Sequence, residues 1–375
     1  MVSFDKEPRE GHRRGVFVLK AEEINWPETV TELHVHLGGS VPLYRLWEIA
    51  VERGIRGLGG GYEDFLDILK IEDDRVKDLD TYLEVYDTVE LIQSGPQSVR
   101  ESIFIASQRA YRTGGMAELG PGGEGGTPET LFKVGRLELR FNPLKRTGAV
   151  YLKGQHAGLY DVDRVIKAAC EVVEDIEIGF HGALQVGLIF CFGRDMTYEA
   201  NMVLAEKTLK WVEKSDRIIG VDVAGHESKN SFEDPKRLAE MKECYDLLGD
   251  KVGKTVHSGE TTFVNLETFI NTVTALNPQR VAHPIVVLRS YWDKKDDRGL
   301  KLLKERGIVC ELCPRSNLLT RAVHSLEEYG RVINTLDEFE IPYTFSTDAP
   351  SLQVSSLAKE LKMLLDAGAA TPEQV

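Results

Sequence analysis

Short apolar runs of strand type alternate with longer amphipathic stretches through most of the chain. Eight such runs occur, at residues 31–37, 135–141, 184–190, 217–223, 253–257, 279–283, 307–313 and 341–347. The stretches between them place apolar residues at steps of three and four, which is typical of helices packed on one face. Strands that alternate with helices form parallel sheets through right-handed crossovers, and eight such units close naturally into a (β/α)8 barrel of the TIM type. A doubly wound open sheet is the alternative, because alternation alone does not distinguish the two folds.

The first crossover is too long for a single helix. It runs from about residue 42 to 134 and contains several helical patterns, so we expect a helical insertion after the first strand that covers one end of the barrel. Within it, residues 114–135 are rich in Gly and Pro, which predicts a surface loop. No repeat or linker divides the chain, so we interpret residues 1–375 as one domain.

The charge balance argues against one large class of partners. The chain carries 60 acidic and 46 basic residues, a formal net charge of -14, whereas a nucleic-acid binder needs a concentrated positive field. The sequence shows neither a signal-peptide pattern nor a run of about 18 apolar residues. We therefore expect a cytoplasmic protein that binds small molecules and neither nucleic acid nor membrane.

The cysteines follow no disulfide framework. They form an odd, scattered set of five, which fits a reducing compartment. Cys310 and Cys313 have CxxC spacing, but residues three apart on a strand point to opposite faces, so one metal ion could not easily take both thiolates. We interpret the five as buried structural thiols.

Two histidines lie close together in the first strand. His34 and His36 are two residues apart, so their side chains share a strand face, the geometry needed to hold one divalent metal through two imidazoles. A pair of satisfied core histidines is the alternative interpretation at this point.

Other ionisable residues stand at the ends of later strands. His257 closes the fifth strand with Glu260 three residues beyond, His283 closes the sixth, and Asp348 closes the eighth. In a barrel, the carboxyl ends of all strands open on one rim, where catalytic groups gather. Three imidazoles and a carboxylate suit zinc with an open position for water, and the remaining groups are then available for proton transfer. The set as a whole indicates a catalytic site.

Six motifs in this sequence follow the order and approximate spacing of a known family. They are TELHVHLGGS, GVDVAGHES, TVHSGE, RVAHP, CELCPRSN and FSTDAP. From about residue 30 to its end, the chain resembles the adenosine deaminase family of metal-dependent hydrolases. No lysine at a strand end could bridge a second metal ion, so the resemblance implies a single zinc ion. Its ligands would be His34, His36, His257 and Asp348.

The resemblance also implies the reaction, in which adenosine or a related 6-aminopurine nucleoside is deaminated to an inosine-type product and ammonia. Glu260 corresponds to the acid that protonates the ring nitrogen beside the attacked carbon, which removes electron density from that carbon. His283 corresponds to the histidine that orients the attacking water, and Asp348 can take the proton of that water. The expected substrate contacts are His36, Asp222 and Gly225, although a tight turn is the alternative for Gly225.

The sequence departs from the family where substrate is bound. Gly38 stands where family members have an acid that helps hold the ribose, and Ala349 stands where they have an aspartate that hydrogen-bonds purine N7. Pro284 replaces a glycine after His283. Arg140 and Asn142, at the end of the second strand, could supply other substrate contacts or form a surface turn.

Two other hypotheses remain beside the first. The same zinc chemistry could act on free adenine, or on a modified or phosphorylated adenine nucleoside. A catalytically silent binding protein is the third hypothesis, but such a protein should have lost Glu260 or a zinc ligand, and all of them are present.

Overall fold

A single parallel sheet organises the chain. The computed structural model describes residues 24–69, 71, 75–113, 131–148, 150–152, 155–157 and 161–375. Its main sheet has eight strands in the order β1-β2-β5-β6-β7-β8-β9-β10. These are β1 (Thr29–His36), β2 (Lys133–Phe141), β5 (Gln185–Gly193), β6 (Ile218–Ala224), β7 (Gly253–His257), β8 (Arg280–Ala282), β9 (Val309–Leu312) and β10 (Tyr343–Phe345). A separate antiparallel pair follows β2, formed by β3 (Val150–Leu152) and β4 (Gln155–Ala157).

The sheet closes on itself beside the first strand. Val35 forms a parallel bridge with Asp348, just beyond β10. The His36 N–H donates to the Asp348 carbonyl at 2.7 Å, and the Asp348 N–H donates to the His34 carbonyl at 3.0 Å. The fold is therefore a (β/α)8 barrel of the TIM type, as the sequence predicted, and the open doubly wound sheet is excluded.

Helices alternate with the strands and cover the barrel. Side-chain caps begin many of them, since Thr197, Asn265, Ser325 and Ser356 each accept a bond from a backbone N–H in the first helical turn. The helices after β2 are α6 (Val162–Gly179), α7 (Tyr198–Val212), α8 (Pro235–Leu248), α9 (Leu266–Leu276), α10 (Ile285–Lys294), α11 (Arg298–Glu305), α12 (Pro314–Leu319), α13 (Leu326–Glu338) and α14 (Leu357–Asp366), with a short 3-10 helix at Leu144–Arg146.

The long first crossover is helical, as predicted. It contains α1 (Leu37–Ser40), α2 (Leu43–Glu52), α3 (Tyr62–Leu69), α4 (Leu79–Ile92) and α5 (Pro96–Thr113). The buried apolar side chains of α2, α3 and α4 form a core cluster of their own, which also includes Ala349 and Leu352 from the segment after β10. The insertion is thus anchored on the rim of the barrel. Of the Gly-rich stretch 114–135, residues 114–130 lie outside the described residues.

The barrel strands are buried on both faces. In β5 every residue after Gln185 is buried, as expected for a parallel strand covered by helices. All five cysteines are buried and free, as the sequence predicted. Within the described part of the chain, no helix has the length and apolarity needed to span a membrane.

Candidate active site

Five ionisable side chains converge at the carboxyl ends of the barrel strands. The ligand atoms of His34, His36 and Asp348 lie within 4.8 Å of one another, and so do those of His34, His257 and His283. His36 Nε2 lies 3.2 Å from His257 Nε2 and 3.4 Å from Asp348 Oδ1. The four ligands expected from the sequence therefore meet at one point.

This group of side chains fits a divalent cation. The Nε2 of His34 is buried and has no hydrogen-bond partner among the described residues, a costly state for a polar atom unless a cation binds there. Burial lowers the pKa of His36 well below its ordinary value, which keeps the imidazole neutral as a metal ligand requires. Burial alone would raise the pKa of Asp348, but the nearby imidazoles of His34, His36 and His283 hold it well below its ordinary value. Three imidazoles and an ionised carboxylate are donors typical of zinc.

Two buried carboxylates hold the ligand histidines from behind. His34 Nδ1 lies 2.8 Å from Glu311 Oε2, and His257 Nδ1 lies 2.9 Å from Asp222 Oδ2. The Arg140 guanidinium joins both carboxylates, at 2.9 Å from Asp222 and 3.0 Å from Glu311. Burial opposes ionisation of both acids, but Arg140 and the two histidines hold the pKa of each below its ordinary value. Such carboxylate partners fix the orientation of a histidine ligand.

This arrangement differs from the substrate contact expected for Asp222. Its side chain is fully buried behind His257 and is absent from the lining of the adjacent cavity, so the expected contact does not fit this geometry. Arg140, considered as a substrate contact or part of a surface turn, is also fully buried inside the barrel. Since parallel strands are covered on both faces, a charged residue near a strand end can point into the barrel interior.

Replacing Asp222 with Asn should weaken metal affinity about 10- to 100-fold, because the amide is a poorer partner for His257 and no longer balances Arg140. Competition with a chelator of known affinity measures the effect. The matched control is Asp195→Asn, which changes a carboxylate on the cavity rim and should leave metal affinity unchanged. A higher KM with unaltered metal affinity in Asp222→Asn would instead support the original expectation of a substrate contact.

Glu260 lies beside the metal-binding group and is held by polar neighbours. The Thr320 hydroxyl donates to its Oε1 at 2.8 Å, and the Asn317 Nδ2 lies 3.4 Å from the same oxygen. Neither contact uses Oε2. The carboxyl group is therefore fixed at one oxygen, while its other oxygen can meet a ligand in the cavity.

His283 is oriented by the same asparagine. Asn317 Nδ2 lies 3.0 Å from His283 Nδ1, and the Tyr329 hydroxyl donates to Asn317 Oδ1 at 3.3 Å. Because Tyr329 fixes the oxygen side of the amide, its NH2 group faces His283 and donates to Nδ1. With the amide NH2 group directed at Nδ1, the neutral form of the imidazole has its proton on Nε2.

Two of the site residues have a strained backbone. His283 has a φ of 54° and Asp348 a φ of 64°, values in the left-handed region that residues other than glycine rarely adopt. Strain of this kind clusters at functional sites, where the surrounding structure holds it. Pro284 follows His283 directly and restricts the chain where the strain occurs.

A cavity of about 370 Å³ opens beside these residues. Glu260, His283 and the expected contacts His36 and Gly225 line it, and Gly225 has a φ of 104°, which its lack of a side chain permits. Helix α4 contributes one wall of the cavity, through Leu79, Tyr82, Leu83, Tyr86, Asp87 and Glu90. The insertion thus covers the open end of the barrel, as expected from the sequence, and Asn142 also lies in the cavity wall.

Several residues around the site have only a weak signal in the sequence. Glu311 belongs to the CELCP segment, where the two thiols are the more obvious feature, and it stands between Cys310 and Leu312 in β9. Ser316 donates to Asp348 Oδ2 at 2.6 Å, and Asn317 and Thr320 follow it on and after α12. In the sequence, Ser316, Asn317 and Thr320 are marked only by their place in a polar cluster directly after a predicted strand end. The tyrosines of α4 carry no such signal.

Comparisons with known proteins agree with this geometry. A family model described as Adenosine deaminase matches residues 132–375. An adenosine deaminase of Clostridium botulinum (strain 657 / Type Ba4) is 23% identical over 333 residues, which are 89% of this chain and 86% of that protein. The solved structure of an adenine deaminase from Arthrobacter aurescens has a TM-score of 0.70 at 16% identity, covering 91% of this chain and 88% of that one. An amidohydrolase from Burkholderia ambifaria with bound Zn also has a TM-score of 0.70 at 16% identity, covering 94% and 84%. These structural likenesses concern the barrel fold alone.

Proposed function

Because the chain belongs to the adenosine deaminase family, we propose that it is a zinc-dependent hydrolase that deaminates adenosine or a related 6-aminopurine nucleoside. The products are ammonia and the corresponding inosine-type nucleoside. Family membership makes the chain a hydrolase of C–N bonds and supports aminopurines as its substrates. The observation that carries the finer proposal is the convergence of His34, His36 and Asp348, the last two of which line one cavity together with Glu260.

One zinc ion per chain would be held by His34, His36, His257 and Asp348. The buried, unpartnered Nε2 of His34 and the solved amidohydrolase with bound Zn support this proposal. Zinc in such a site supplies Lewis acidity, which brings the pKa of water toward neutrality. Asp222 and Glu311 hold the ligand imidazoles in place from the far side, and we assign both as positioning residues.

Glu260 is the proposed general acid. With Thr320 holding Oε1, the free oxygen can give a proton to the ring nitrogen next to C6. Protonation makes C6 electron-poor, so that a water oxygen can add to it without leaving an unstabilised negative charge on the ring. The C6–N bond to the amino group then breaks, and the amino group leaves as ammonia with a proton that came from water.

His283 and Asp348 act on the water in this proposal. His283 has its proton on Nε2, so it can donate a hydrogen bond to the attacking oxygen and stabilise developing charge there. Asp348 can take the proton from that water, and Ser316 holds its Oδ2 for the task. Of the two protons of the water, one leaves with the amino group as ammonia, and the other is lost from the C6 hydroxyl as the carbonyl forms and restores Glu260, so the reaction balances without any further reactant.

The rim of the cavity favours a neutral substrate over a phosphorylated one. Its cations Lys145 and Lys229 lie among the carboxylates of Asp87, Glu90 and Asp195, and Lys145 lies 3.1 Å from Asp195 and 3.8 Å from Glu90, so carboxylates offset the positive charge. Free adenine is the second candidate substrate. It is favoured by Gly38, which stands in place of the family's ribose-binding acid, and by the adenine deaminase among the solved structures.

The buried, free cysteines support the cytoplasmic location that we propose.

A substrate panel tests the proposal. The purified protein with zinc is incubated with adenosine, 2'-deoxyadenosine, adenine, AMP and N6-methyladenosine, and released ammonia is measured together with the product. Turnover of adenosine above that of adenine and AMP is expected. Activity on adenine or AMP without activity on adenosine would refute the nucleoside proposal and retain the chemistry.

A further inference from the structure

Tyr86 packs directly on the glycine that replaces the family's ribose-binding acid. A Cβ atom built on Gly38 would lie 2.9 Å from Tyr86 Cε1 and 3.0 Å from Cδ1, closer than real Cβ contacts. Any side chain at position 38 would therefore displace this ring. The ring of Tyr86 can lie where it does because residue 38 is a glycine. The ring of Tyr86 also lies 6.3 Å from that of His36, and it lines the cavity.

The hydroxyl of Tyr86 lies next to the second missing acid. A Cβ atom built on Gly39 would lie 2.3 Å from the Ala349 Cβ and 3.2 Å from the Tyr86 hydroxyl oxygen, so those two groups are neighbours. Ala349 is fully buried in the apolar cluster of the insertion. A phenol from α4 thus occupies the region where both family carboxylates would be.

Tyr86 and Glu260 stand on opposite sides of the barrel, as N7 and N1 stand on opposite edges of a purine. Glu260 follows β7, and Tyr86 packs on the segment that follows β1. In the order β1-β2-β5-β6-β7-β8-β9-β10, the strands β1 and β7 are four places apart, so they stand on opposite sides of the closed barrel. In a purine, N1 and N7 flank C6 on opposite edges. If Glu260 meets N1, the opposite wall meets N7.

We propose that Tyr86 is a specificity-determining residue whose hydroxyl donates a hydrogen bond to purine N7. This inference rests on the proposed function, and it identifies what replaces the absent aspartate. A phenol offers an O–H donor, and N7 is an acceptor, so the pair is chemically matched. Tyr82 is less suited to this role, because its hydroxyl accepts a bond from Gln353 Nε2 at 2.6 Å and lies 3.5 Å from Asp348 Oδ2.

Two unreactive ligands test the contact. 1-Deazaadenosine lacks the ring nitrogen that accepts the proton of Glu260, so it binds without turnover, and 1,7-dideazaadenosine also lacks N7. Their Kd values are measured by calorimetry on the zinc-loaded protein. The wild-type protein should bind 1-deazaadenosine about 10-fold more tightly, because its N7 can accept a hydrogen bond from the Tyr86 hydroxyl, which the analogue without N7 cannot do. In Tyr86→Phe, which keeps the ring on Gly38, the two Kd values should become equal.

Tyr111→Phe is the matched control. Tyr111 lies on α5 and packs edge-on against Phe180, so its variant should keep the 10-fold ratio. Equal Kd values in the wild type, an unchanged ratio in Tyr86→Phe, or no binding of either ligand would each overturn the inference. Turnover of the substrate panel is measured in a separate experiment. A wild-type protein that deaminates no aminopurine would overturn the proposed function itself.

Discussion

Replacing Glu260 with Gln is expected to lower kcat for adenosine by about 10²- to 10⁴-fold, while the variant still binds one zinc ion per chain. The amide cannot give a proton to the ring nitrogen, so water would have to add to a neutral, electron-rich ring. The substitution keeps the side-chain size, and Thr320 can still donate to the remaining carbonyl oxygen. The measurements are steady-state kinetics and metal content on the same preparation.

Measuring kcat and metal content together distinguishes a loss of catalysis from a loss of the folded site. If Glu260 acts only in the reaction, kcat falls and both the metal content and the midpoint of thermal unfolding stay close to the wild type. A variant that turns over adenosine at the wild-type rate would contradict the acid role. A variant that loses its metal would show that Glu260 supports the site structurally.

Replacing Arg140 with Met should lower the free energy of unfolding by about 3 to 5 kcal/mol. Arg140 is fully buried, and it is the cation that lies between Asp222 and Glu311, which are fully buried too. Removing it takes away the cation that the two buried carboxylates share, which leaves Glu311 with Arg280 at 3.0 Å and Asp222 with His257 at 2.9 Å. Urea unfolding of the two proteins measures the difference.

Arg45→Met provides the comparison. Arg45 lies at the surface in ion pairs with Glu48 and Glu101, where water already solvates the charges, so its loss should cost less than about 1 kcal/mol. If Arg140→Met were as stable as Arg45→Met, the network behind the metal ligands would not hold the site together.

The barrel and the convergence of the four proposed metal ligands can be predicted from the sequence for the same physical reason. A parallel strand ends where its apolar run ends, and all carboxyl ends of a barrel share one rim. His257 and Asp348 are far apart in the chain, yet their positions at two strand ends are enough to place them together. His34 and His36 of β1 can be placed on one strand face from the two-residue side-chain period of a strand alone.

Side-chain direction and the contacts of the insertion could not be predicted in this way. Arg136, Glu138 and Arg140 alternate with apolar residues in β2, which is the pattern of a strand with one solvated face. In this barrel Arg140 instead points inward and joins the acids behind the histidines. The resemblance likewise implies a substrate contact for Asp222, whereas in the structure its Oδ2 lies 2.9 Å from His257 Nδ1 and the residue is absent from the cavity lining.

The position of Tyr86 depends on how α4 packs over the barrel mouth. That packing joins residues of the insertion to Ala349, which lies in the last part of the chain. No local pattern carries such information. The two missing carboxylates are visible in the sequence, while the phenol that stands beside them is visible only in the packing of α4.

The central claim is that a metal ion held by His34, His36, His257 and Asp348 is needed for deamination of an aminopurine nucleoside. It is tested most directly by removing metal with a chelator, dialysing the chelator away, and measuring ammonia release from adenosine while zinc is added back. We expect activity to disappear with the metal and to return in proportion to added zinc, reaching its full value at one equivalent per chain. Full turnover by the metal-free protein would contradict it.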